Sequence, residues 1–65
     1  MTSHQRQLLA LLVVPMAAVD IAHLLGWPLD ATYQELVALE AQNAVRVRVD
    51  YTEHQITFRG WELAR

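Results

Sequence analysis

The spacing of apolar residues changes once along this chain, just after Asn43. Upstream, apolar positions recur every three or four residues, the period of a helix with one buried face. Downstream, Val45, Val47 and Val49 alternate with Arg46, Arg48 and Asp50, the period of a half-buried strand. A second alternating run, Gln55 to Arg59, follows after the turn-forming segment Tyr51 to His54. The two runs predict a β-hairpin, with Val45, Val47, Ile56 and Phe58 available to cover the helices. Gly60 and Trp61 are expected to close the second strand, leaving a short tail. In 65 residues this pattern leaves room for one small domain, spanning 1–65.

The upstream part divides into three helices. Thr2 followed by Gln5 is a capping-box start. Leu8, Leu9, Leu12 and Val13 then mark a buried face, with Leu11 and Val14 toward the other side, and Pro15 is expected to end the helix. A second helix runs from about Ala17 to Leu25, burying Ile21, Ala22 and Leu25, and Gly26 supplies a left-handed stop. Trp27-Pro28 reads as a short turn. The third helix runs from about Leu29 to Gln42, with Leu29, Thr32, Leu36 and Leu39 as its core face and Asn43 as its left-handed stop. Tyr33, Val37 and Ala41 form a second apolar line on that helix, away from its core face.

Composition removes several function classes. There is no Cys, so disulfides, thiolate metal sites and thiol catalysis are excluded together. His4, His23 and His54 fall on three different elements without metal-ligand spacing, and both glycines are isolated, so no phosphate loop is present. Neither a catalytic residue nor a cofactor nor a metal is expected. The run Leu8 to Val19, behind Arg6, loosely resembles a secretory leader, but Pro15 interrupts it and no small-residue cleavage pattern follows. It is also shorter than the roughly twenty apolar residues of a membrane helix. A cytoplasmic chain without a membrane segment is the expectation.

Three short helices, a Gly-containing turn and a hairpin resemble a winged helix-turn-helix domain, an α+β fold. The resemblance is carried by Asp20-Ile21-Ala22, Leu25-Gly26-Trp27, Thr32-Tyr33, Leu36, Leu39-Glu40 and Val45. It implies a DNA-binding transcriptional regulator of the small prokaryotic or phage type. The third helix would enter the major groove of double-stranded DNA and the hairpin wing would hold the backbone. On this sequence the matching positions are Pro28, Asp30, Ala31, Tyr33 and Gln34, of which Tyr33 and Gln34 have useful contact chemistry. Arg46, Arg48 and Arg59, with Thr57 beside them, would form one outward basic face of the wing. A homodimer, joined through the first helix or the tail, would set two such helices one turn of DNA apart.

Charge distribution opens a second reading. All five basic residues are Arg, against seven acidic ones. Residues 1–45 carry Arg6 against Asp20, Asp30, Glu35 and Glu40, which sums to minus three. Residues 46–65 carry four Arg against Asp50, Glu53 and Glu62, which sums to plus one. A third helix with carboxylates and no cation is repelled by a phosphate wall. The alternative is therefore a protein-interaction module on the same fold, making contact through Tyr33, Val37 and Ala41.

Overall fold

The computed structural model describes residues 1–64. The order is α1 (Ser3–Leu11), α2 (Ala18–Leu25), α3 (Leu29–Ala41), β1 (Val45–Thr52) and β2 (Gln55–Leu63). Three helices followed by a two-stranded antiparallel hairpin make an α+β arrangement consistent with a winged helix. The centre is formed by Leu8, Leu12, Ile21, Leu36, Leu39, Val45 and Trp61, with Leu9, Leu11, Met16, Leu25, Trp27 and Leu63 packed around them.

Local chemistry explains the helix ends. The Thr2 hydroxyl accepts from the Gln5 amide at 3.1 Å and the Gln5 side chain accepts from the Thr2 amide at 3.2 Å, the reciprocal capping box. Gly26 stops α2 at φ 70°, and Asn43 turns the chain out of α3 at φ 62°. Thr32 is fully buried, and its hydroxyl donates to the Pro28 carbonyl at 3.0 Å, which removes the cost of an unpaired polar group in the core.

Three sequence expectations need correction. Helix α1 ends at Leu11, well before Pro15, so Val13 is 81% exposed instead of lying on a buried face. Past this end the chain makes a backbone pairing that no local pattern announces. Met16 runs antiparallel to β2, its amide donating to the Trp61 carbonyl at 2.9 Å and its carbonyl accepting from the Trp61 amide at 2.7 Å. The chain must be extended at Met16 to make both bonds. Leu29, expected in the core, is half exposed.

The third correction concerns the hairpin. β2 continues through Gly60 and Trp61 to Leu63, pairing Val45 with Leu63, Val47 with Trp61 and Val49 with Arg59. Directly paired residues share a sheet face. The inner face is therefore built from Val45, Val47, Trp61 and Leu63. Ile56 is 55% exposed and Phe58 lies on the opposite face, paired with Asp50. Beyond Asp50 the register shifts, with Tyr51 pairing Ile56, so that Thr57 is the extra residue of a β-bulge. The reversal is made by Glu53 (φ 50°) and His54 (φ 71°) alone. Both have the positive φ of a tight two-residue hairpin turn, a conformation that costs side-chain-bearing residues roughly 1–2 kcal/mol each.

Gly60 permits the Met16 bridge. A β-carbon there would lie 2.6 Å from the Met16 carbonyl oxygen and 2.5 Å from the Phe58 ring. Gly60→Ala should therefore lower unfolding free energy by about 1–3 kcal/mol in urea denaturation. Replacing Glu53-His54 with Asn-Gly should raise it by about 1 kcal/mol, since those residues accept positive φ readily.

Candidate binding groove

The inner face of the hairpin does not lie flat on the helices. Between it and the N-terminal ends of α2 and α3 runs a groove of about 890 Å³. Ala17, Ala18 and Val19 line one wall, Leu29, Asp30, Tyr33 and Gln34 the second, and Val47, Arg59, Gly60 and Trp61 the floor. The register explains this composition, because Val47, Trp61 and Arg59 fall on one face of the sheet. Trp61 is 6% exposed and anchors the floor, and the Tyr33 ring stands edge-on to it with centroids 6.0 Å apart. Val19, Leu29, Tyr33 and Val47 remain 45–61% exposed around it.

Of the residues expected to contact DNA, Tyr33, Gln34 and Arg59 come together in this groove. Arg46 and Arg48 do not join them. The expected single basic face is divided, because Arg59 pairs with Val49 whereas Arg46 and Arg48 pair with Glu62 and Gly60 on the opposite face. Arg59 lies on the groove side, not with Arg46 and Arg48, because the cross-strand register, which sequence period alone does not determine, sets which face of β2 turns inward. Thr57 sits at the bulge, and its hydroxyl donates to the Asp50 carbonyl at 3.3 Å.

The arginines on the outer face are already paired. Glu62 lies between them, accepting from Arg46 and, at 3.3 Å, from Arg48, which also donates to Asp50 at 3.1 Å. The hydrogen bond from Arg46 is the main cause that holds the Glu62 carboxyl below the usual carboxylate range, against a smaller opposing effect of desolvation. The Arg48 guanidinium is raised, first by its hydrogen bond to Asp50. Among the described residues, Arg59 makes no ion pair. The Tyr33, Val37 and Ala41 line is exposed along α3, but only Tyr33 reaches the groove.

A smaller cleft of about 300 Å³ lies between α1 and α3, lined by His4, Trp27, Pro28, Ala31, Gln34 and Glu35. His4 packs on the Trp27 ring at 5.4 Å, and one Glu35 carboxylate oxygen is buried there without a hydrogen-bond partner. Among the described residues no three His, Asp or Glu side chains gather as a metal site, and no helix is long and apolar enough to cross a membrane.

No family model, curated protein or solved structure matches this chain.

The Glu62 shift has a measurable consequence. A carboxyl whose folded pKa lies below its unfolded value of about 4.3 adds stability above that pH and loses the contribution as pH falls through the folded value. Thermal melts between pH 7 and pH 2 should therefore show an acid limb that Glu62→Gln reduces.

Proposed function

We propose that this chain is a protein-interaction module whose groove receives an apolar segment of a protein partner. The observation that carries the reading is the collection of half-exposed Val19, Leu29, Tyr33 and Val47 around one concave site. Contiguous apolar surface of this kind marks contact sites, and a concave apolar floor with few polar groups favours a side chain or helix face inserted from outside. Asp30 and Arg59 are the charges at its rim. They suit a partner segment carrying a base on one flank and an acid on the other.

A DNA-binding regulator is the second reading. It is supported by the fold arrangement and by Tyr33, Gln34 and Arg59 sharing one groove. It is weakened by electrostatics. Asp30 lies in the same groove, and Arg46 and Arg48 occupy the far face of the sheet, bonded to Glu62 and Asp50. One unpaired cation on the groove side neutralises about one phosphate, worth a log-log salt slope near −0.9.

Two measurements separate the readings. Cross-linking capture from the source cells should recover a partner with the wild-type chain and lose it with Tyr33→Asp and with Val47→Asp. Capture unchanged by both substitutions sinks the groove as the contact surface. Titration against a random-sequence duplex should give a salt slope no steeper than about −1. A slope near −3 that Arg46→Ala and Arg48→Ala flatten would reverse the order of the two readings.

A further inference from the structure

We infer that β1 pairs along its free edge with β1 of a second copy of this chain, antiparallel and centred on Val49. This does not rest on what the groove binds.

The ladder shows which backbone groups are free. The Ala64 amide donates to the Ala44 carbonyl at 3.0 Å, so residues 44 and 64 form a hydrogen-bonded pair. Such pairs alternate along an antiparallel ladder. Arg46, Arg48 and Asp50 therefore turn their backbone groups toward β2, while Val45, Val47 and Val49 turn theirs away from it. The Met16 bridge confirms the phase, because it uses the Trp61 groups on the far edge of β2, opposite Val47. The bulge residue is on β2, so β1 stays regular to Thr52. Among the described residues, no strand pairs with the outer edge of β1. An eight-residue strand with a free edge is a template for strand addition.

The side chains indicate what adds to it. With Val49 opposite Val49 of the second copy, Arg48, which in the single chain bonds its own exposed Asp50, faces the second copy's Asp50 and can share its bonds between the two carboxylates, and by symmetry the reverse pair forms too. Val47 faces Tyr51, and Arg46 faces Thr52. No like charges meet. Shifting the centre to Val47 sets Arg46 against Arg48, and centring on Arg48 sets that residue against itself, both repulsive. The Arg48–Asp50 pairs fall at non-hydrogen-bonded positions, where side chains approach most closely. On the inner face, Val47 (45% exposed) and Tyr51 (67% exposed) cover one another, which the single chain leaves undone.

Shape allows this pairing. The molecule measures 40 × 24 × 19 Å, and residues 51–57 are exposed at one end of the hairpin. Val49 lies four residues from the strand base at Val45, about 14 Å at 3.4 Å per residue. Antiparallel pairing there sets the two strand bases about 27 Å apart along the joined sheet, which separates the helical bodies. The two-fold contact is isologous and closes on itself.

Sedimentation equilibrium from about 10 µM to about 1 mM tests the pairing, a range suited to a weak one-strand interface. The wild-type chain should dimerise. Val49→Pro removes an outward amide without touching the bonds to β2, and should raise the dimer Kd at least about tenfold. Asp50→Arg should do the same by setting like charges opposite each other, and Arg48→Asp with Asp50→Arg should recover most of the affinity, about tenfold. Circular dichroism of each variant checks that the monomer is folded. Hydrogen exchange adds a direct reading, since the Val47 and Val49 amides should be protected in wild type at high concentration and exposed in Val49→Pro. A wild-type chain that is monomeric throughout, or a dimer indifferent to Val49→Pro, overturns the proposal. A dimer that Val49→Pro breaks but the charge reversals leave untouched overturns the register.

Discussion

The pair of backbone hydrogen bonds between Met16 and Trp61 holds the architecture together. It fastens the second strand of the hairpin to the segment between the first two helices, across more than forty residues of chain. It holds Met16 extended between α1 and α2. It requires a residue without a β-carbon at Gly60. By fixing Trp61 under the helices it also determines which side chains of the hairpin face inward, and hence what lines the groove. A pairing of such long sequence separation carries a large loop-closure entropy. It persists here because it comes with burial of the Trp61 ring among Leu and Ile side chains.

Much of the fold was legible in the sequence because its signals are local. The capping box at Thr2 and Gln5, the left-handed stops at Gly26 and Asn43, and the change of period at Val45 each depend on a few neighbouring residues. The errors in the hairpin involved partners distant in sequence. Nothing near Val13 foretells the Met16 bridge. Nothing within Gln55 to Arg59 tells which face of that run turns inward, and nothing local shows that the strand runs on past Gly60 and Trp61 to Leu63. The true reason for Gly60 is a carbonyl group forty-four positions earlier. Tyr33, Gln34 and Arg59 stand out in the sequence by type, but their meeting in one groove, apart from Arg46 and Arg48, becomes visible only with the register.

The division of the arginines changes how the surface should be understood. Net charge counted along the chain suggested a basic wing. In space, Glu62 sits between Arg46 and Arg48, and exposed ion pairs of this kind contribute little to stability while quenching the local field. What remains on the groove side is one cation, one carboxylate and several apolar side chains. Such a surface gains more from excluding water than from attracting a polyanion.

The reversal at Glu53 and His54 has a further effect. Its two residues hold a conformation that costs side-chain-bearing residues free energy, so the turn adds little stability of its own to the ribbon. The anchored base at Trp61, bonded to Met16, carries the long-range backbone pairing of the ribbon, and residues 51–57 at the tip are exposed. The distal half of the hairpin is thus held only as firmly as the ladder behind it, and its order is open to reinforcement from outside.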